Sequence, residues 1–190
     1  PKIDIAAGGK IDEAKVGALI NLIREGPAAP ADPARPRPHE REDDVLQKTL
    51  EKGVLVEREN GTEKAIAHYR EALARTTRPD HRAILLLTIA EAAAGVGDRD
   101  AALRTYDEVI AANGPGKVVA QLRKAELLEK LKDDAGARAA YGELLTSSDA
   151  TVRTKASLRL AMVEERLGDT ARALALYEEI LAWAPSSPQA

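Results

Sequence analysis

The chain has 190 residues, of which 44% are hydrophobic and 31% are charged, and its formal net charge is −3. This balance is typical of one folded domain with an appendage. Because Lys and Arg are not in excess, nucleic acid and membrane surfaces are not expected as main partners, and the absence of cysteine excludes disulfides and Cys-containing zinc sites.

The sequence predicts neither a membrane span nor a signal peptide. No stretch approaches the roughly 18 uninterrupted apolar residues of a transmembrane helix, and the N-terminus lacks the charged-then-apolar layout of a signal peptide. We therefore expect no direct membrane insertion and a cytoplasmic location. A periplasmic location is the alternative if a signal or anchor precedes the given sequence.

The first predicted element is an amphipathic helix within residues 1–26, in the stretch KIDEAKVGALINLIREG. Asp12 and Glu13 at its start and Arg24 near its end suit the helix dipole, and Gly26 ends it. Its apolar side chains are Ile11, Ala14, Ala18, Leu19, Leu22 and Ile23. Since an isolated helix of this length is only marginally stable in water, we expect it to pack on another surface.

Residues 27–43 are predicted to be a linker rich in proline and alanine. Prolines at 27, 30, 33, 36 and 38 favour an extended, semi-rigid tether. At roughly 3 Å per residue, a dozen such residues reach over about 30 Å. The tether can therefore carry the N-terminal helix to either end of the following region, into its groove or onto another molecule; a ligand for an SH3-like domain is the alternative.

The remainder of the chain repeats about every 36 residues. Its tyrosines, which are all the tyrosines of the protein, are Tyr69, Tyr106, Tyr141 and Tyr177. Four residues before them, one helical turn away, stand Ala65, Ala102, Ala137 and Ala173. Sixteen residues before them stand Gly53, Ala90, Ala125 and Ala161, in a second helical stretch. Turn formers separate the two stretches, so the unit is helix, tight turn, helix.

This pattern resembles the tetratricopeptide repeat (TPR) family. Its marks are the small residue in the first helix, Gly-Asp at the turn, Ala four residues before an aromatic residue, and a helix breaker eight residues after it. The resemblance implies an all-α fold, a right-handed solenoid of four helical repeats at residues 44–190. The predicted repeats are 44–79, 81–116, 118–151 and 153–187. Lys132 departs from the pattern, because it stands where the family has a turn glycine.

No catalytic residue, cofactor or metal ligand is expected. The stretch NGPGK at 113–117 is interpreted as a turn between repeats, because no strand precedes it and Val118 follows the lysine in place of Ser or Thr. The histidines, His39, His68 and His81, lack the i,i+4 spacing of a helical metal site and are predicted to be solvated.

The resemblance implies that the first helix of each repeat lines a groove for a peptide or helix of a partner protein. Nineteen residues before each tyrosine stand Leu50, Leu87, Leu122 and Leu158. Further along the same face stand Glu91, Glu126, Glu129, Met162 and Glu165. The sequence thus predicts a groove for a basic or apolar segment. Burial of the leucines in the core is the alternative, and the glutamates argue against a carboxylate-gripping co-chaperone.

These features predict a non-catalytic scaffold or adaptor. Its high Arg and Ala content suggests a bacterial origin with a GC-rich genome, and we expect the protein to act in assembly of a bacterial complex. The alternative is a regulatory or anchoring domain of a larger enzyme or envelope protein.

A second surface is predicted on the last helix. Leu176 and Trp183 are seven residues apart on one face, at the end where a solenoid needs a polar cap. We expect this face to be covered by a second copy in a homodimer, or by intramolecular docking of the N-terminal helix.

Overall fold

The computed structural model of the chain describes the backbone of residues 38–183 and the side chains of residues 42–182. Within that range the secondary structure is all α-helical, and the expected fold class of TPR-like helical repeats is confirmed. The helices are α1 (Pro38–Asn60), α2 (Thr62–Arg75), α3 (Pro79–Gly95), α4 (Arg99–Ala111), α5 (Lys117–Lys130), α6 (Asp134–Leu144), α7 (Ala150–Leu167) and α8 (Thr170–Trp183).

The helices pack as hairpins in two compact units. The N-terminal unit ends at Gly116 and the C-terminal unit begins at Lys117. In the N-terminal unit α1 packs on α2, α2 on α3, and α3 on α4. In the C-terminal unit α5 packs on α6, α6 on α7, and α7 on α8, while α5 also touches α7.

The first helix starts earlier than the sequence indicated. α1 begins at Pro38, six residues before the predicted boundary at 44 and inside the predicted linker. Glu42, Asp43 and Asp44 lie in the second turn of this helix, and Arg78 pairs with Glu42 and Asp43 there. The predicted helix within residues 1–26 lies outside the described residues.

A left-handed residue followed by aspartate forms the turn inside three of the hairpins. Gly97, Lys132 and Gly168 have φ values of 86°, 62° and 82°. Each following aspartate, Asp98, Asp133 or Asp169, donates its N–H back to the preceding helix and caps the next one with its carboxylate. One dipeptide therefore ends one helix and starts the next.

Small residues let the paired helices approach closely. The four alanines that precede the tyrosines are buried, and so are Gly53, Ala90, Ala125 and Ala161. Tyr69, Tyr106 and Tyr141 are also buried, whereas Tyr177 is half-buried. A Cβ at Gly53 would overlap the phenol ring of Tyr69. The periodic residues identified in the sequence therefore form the hairpin contacts.

Candidate functional site

The exposed apolar side chains of α7 form the clearest candidate binding surface. Leu158 and Met162, one helical turn apart, are 46% and 39% exposed. The neighbouring helix α5 places Leu122 half-buried beside the core of the same unit. We call Leu122, Leu158 and Met162 the α5–α7 face. It belongs entirely to the C-terminal unit.

Ion pairs join the two helices of the α5–α7 face. Nζ of Lys155 lies 2.6 Å from Oε1 of Glu126, and Nη1 of Arg166 lies 3.4 Å from Oε1 of Glu129. The hydroxyl of Tyr141 donates a hydrogen bond of 2.8 Å to Glu129. These glutamates were predicted to attract a basic partner, but cations of α7 already balance their charge.

The same contacts change the pKa of Glu126. Burial by itself would raise this pKa, but the hydrogen bond from Lys155 and the charge of Arg123 outweigh it and hold the pKa below its usual range. Burial, and then the hydrogen bond to Glu129, raise the pKa of the Tyr141 phenol. Both glutamates therefore stabilise the packing of α5 and α6 with α7 as well as contributing to the surface.

The four predicted groove leucines do not share one environment. Leu50 and Leu87 in the N-terminal unit are 1% and 0% exposed, whereas Leu158 is exposed. Leu50 and Leu87 are therefore closed to solvent, whereas the equivalent Leu158 is open. Of the remaining predicted residues, Glu91 is half-buried and Glu165 is exposed beside Tyr177.

The prediction of a binding surface on the last helix is wrong for Leu176. This side chain is only 2% exposed, because it packs with Leu160, Ala161 and Val163 of α7 in the core of the C-terminal unit. The side chain of Trp183 lies outside the described residues. Leu174 and Leu181, also seven residues apart on α8, are instead exposed, at 57% each.

A cleft in the N-terminal unit was not anticipated from the sequence. It has a volume of about 380 Å³ and lies between the N-terminal half of α1, the end of α2 and the start of α3. Its lining includes Glu42, Thr49, His68, Glu71, Arg75 and Arg78. Since acidic and basic groups alternate there, the cleft does not favour one ligand chemistry.

The histidines at this cleft correct a further prediction. His81 is buried, and its Nε2 lies 2.7 Å from Oδ1 of Asp43. Arg78 contacts the same carboxylate at 3.0 Å and also pairs with Asp80. His68 is half-buried, with Nε2 3.2 Å from the carbonyl oxygen of Thr49. The prediction of solvated histidines is therefore wrong for His81, whose partner on α1 is 38 positions away in sequence; the side chain of His39 is outside the described residues.

Two kinds of feature are absent from the described part of the chain. Side chains of residues 42–182 include no group of three or more His, Asp or Glu placed to share a metal ion. Among the helices of residues 38–183, none combines the length and apolar character needed to span a bilayer.

Comparison with known proteins places these hairpins among familiar repeats. One tetratricopeptide repeat model matches residues 87–151, and a second matches residues 155–187. No curated protein gives a significant match to the sequence. The crystal structure of BtubC (BKLC) from P. vanneervenii is similar over 94% of this chain and 74% of that chain, with a TM-score of 0.59 and 19% sequence identity. A similarity at that identity shows the fold alone.

Proposed function

The chain belongs to the tetratricopeptide repeat family, and from that premise we propose that it is a non-catalytic adaptor that binds a segment of a partner protein on its α5–α7 face. Repeats of this family generally mediate protein–protein interactions and are typically scaffolds without catalytic function. The adaptor would act in the assembly of a bacterial protein complex. The observation that carries it is the exposure of Leu158 and Met162 on the first helix of the last repeat.

The chemistry of the face favours an apolar segment over a basic one. Leu158 and Met162 offer adjacent apolar contacts, and a methionine adapts its shape to different partners. Glu126 and Glu129 are engaged by Lys155 and Arg166, so a basic partner would have to displace those ion pairs. The partner segment is therefore an amphipathic helix or extended strand with an apolar strip.

Variants of the exposed apolar residues provide the test. The full chain, the double variant Leu158→Glu/Met162→Glu and the control Leu174→Glu would each be used to capture partners for mass spectrometry. Leu174 is a matched control, because it is also an exposed leucine but lies on the other helix of the same hairpin. We expect equal amounts of the partner to be recovered with the wild type and the control. The amount recovered with the double variant should be at least about tenfold lower.

A photo-cross-linking amino acid at position 158 identifies direct contact. It should form an adduct with the captured partner, whereas the same group at position 174 should not. Equal capture by all three chains, with circular dichroism showing intact helices, would contradict the proposal. Charge reversal of Glu129 is a weaker test, because it would also remove the hydrogen bond from Tyr141.

A further inference from the structure

The first-helix face is closed in the N-terminal unit at positions where it is open in the C-terminal unit. Leu87 is fully buried on α3, whereas Leu158, at the same repeat position on α7, is 46% exposed. Val54 of α1 is buried, whereas its equivalent Met162 is exposed. The two units therefore differ in what covers this face.

The residue types at equivalent positions of α3 and α7 differ in the same way. Ile84 and Thr88 of α3 are buried, and the equivalent residues of α7 are Lys155 and Arg159. Charged side chains suit a face in contact with water, whereas apolar side chains at these positions require a cover. We call Leu50, Val54, Ile84, Leu87 and Thr88 the α1–α3 face.

The neighbouring helices in the described part of the chain account for only part of the burial of the α1–α3 face. α3 is flanked by α2 and α4 in the way that α7 is flanked by α6 and α8, and that arrangement leaves Leu158 and Met162 exposed. The chain at Gly116 adds local cover, since a Cβ there would lie 3.2 Å from Ala83 and 3.3 Å from Leu87. Gly116 does not account for the burial of Val54 on α1.

We propose that residues 11–25 of the same chain dock on the α1–α3 face. This segment carries the apolar set from Ile11 to Ile23, which matches an apolar face. Its Lys15 and Arg24 complement Glu57 and Glu91 on the same two helices.

The intervening chain is long enough for this docking. Twelve residues, 26–37, separate the segment from the start of α1 at Pro38. At roughly 3 Å per residue they span about 36 Å, and the 23 residues of α1 extend about 35 Å. The segment can therefore lie beside any part of α1, and its attachment gives it an effective concentration on the order of millimolar.

Docking of the segment leaves only the C-terminal unit with an open first-helix face. The N-terminal segment is then a built-in occupant of one half of the repeat surface. This inference does not depend on the proposed partner, because its test requires the full chain alone.

Hydrogen exchange on matched variants tests the docking. Leu19→Glu/Leu22→Glu places two charges on the apolar side of the segment, whereas Gly17→Glu/Asn21→Glu adds the same charge on its polar side. We expect amides of α3 within residues 84–91 to exchange at least about tenfold faster in the first variant and at the wild-type rate in the second. Amides of α7 serve as an internal control and should not change in either variant.

Cross-linking and sedimentation distinguish the possible occupants. A photo-cross-linking residue at position 22 should form adducts with α1 or α3 of the same chain, and sedimentation velocity should show a monomer. Equal exchange of α3 in both double variants would overturn the proposal. Adducts confined to another copy would also overturn it, because a second chain would then be the occupant.

Discussion

Gly53 of α1 lies against the phenol ring of Tyr69 on α2, with no room for a methyl group between them. Tyr69 is fully buried, and its hydroxyl donates a hydrogen bond of 3.4 Å to the carbonyl of Leu50. Both contacts fix the end of the ring against α1, so the ring would have to shift to make room for a methyl group at position 53. The glycine is required by this close approach, although it weakens the helix that contains it.

Replacing Gly53 by alanine should destabilise the protein. Alanine favours a helix by about 1 kcal/mol over glycine, but overpacking in a buried contact costs about 1–3 kcal/mol, so we expect a net loss. Gly142→Ala is the matched control, because a Cβ at Gly142 on α6 meets no neighbouring atom within 4 Å. Urea unfolding should show a lower midpoint for Gly53→Ala and an equal or higher one for Gly142→Ala. A higher urea midpoint for both variants would show that the ring of Tyr69 moves aside without cost and would contradict the prediction.

Replacing Lys132 by glycine should stabilise the protein. Lys132 adopts φ 62°, whereas the equivalent residues of two other turns are Gly97 and Gly168. A left-handed conformation costs a non-glycine residue about 1 kcal/mol, which glycine avoids. We expect a gain of about 1 kcal/mol in the free energy of unfolding, and a loss of similar size for Gly168→Ala. An unchanged melting temperature in both variants would contradict the assigned strain.

Removing Arg138 should leave a buried charge without a cation. Glu164 is buried on α7, and Nε of Arg138 on α6 donates a hydrogen bond of 2.9 Å to its Oε1. Nη2 of the same arginine lies 2.8 Å from Oε2 in an ion pair that lacks hydrogen-bond alignment. Because Arg138 itself is exposed, we expect a loss of about 2 kcal/mol for Arg138→Met, below the usual cost of breaking a fully buried pair.

Neutralising the carboxylate should restore part of that stability. The double variant Arg138→Met/Glu164→Gln should unfold at a higher urea concentration than Arg138→Met alone, since it no longer buries an uncompensated charge. Equal midpoints for the single and double variants would show that Glu164 is solvated when Arg138 is absent.

The lowered pKa of Glu126 predicts a loss of stability in acid. Its ionised form is favoured in the folded chain, so its contribution is fully present above the unfolded pKa of about 4.3 and is lost as pH falls through the lower folded-state pKa. Glu126→Gln should be about 1 kcal/mol less stable at pH 7 and should change less than the wild type between pH 5 and pH 3. Parallel pH profiles of urea unfolding for the two chains would contradict this assignment.

The period of the sequence predicted the packing inside each hairpin. A small residue in the first helix and Ala-x-x-x-Tyr in the second set how closely two helices approach, and this requirement is local to one repeat. Gly97 and Gly168 likewise indicated their turns, because a left-handed residue favours glycine. These features depend on residues within about 36 positions of one another, and sequence spacing reports them directly.

The sequence could not decide which faces are open. Leu87 and Leu158 occupy the same repeat position, yet only Leu158 is exposed, because exposure depends on what covers a face and not on the helix that carries it. A spacing of seven residues places Leu176 with Trp183, and equally Leu174 with Leu181, on one side of α8. Only the packing of α8 against α7 decided that Leu176 faces inward and Leu174 faces water. Tertiary contacts likewise joined His81 to Asp43 and gave Glu126 the cation Lys155, since the two partners of each pair do not lie within one repeat and their spacing does not follow the repeat.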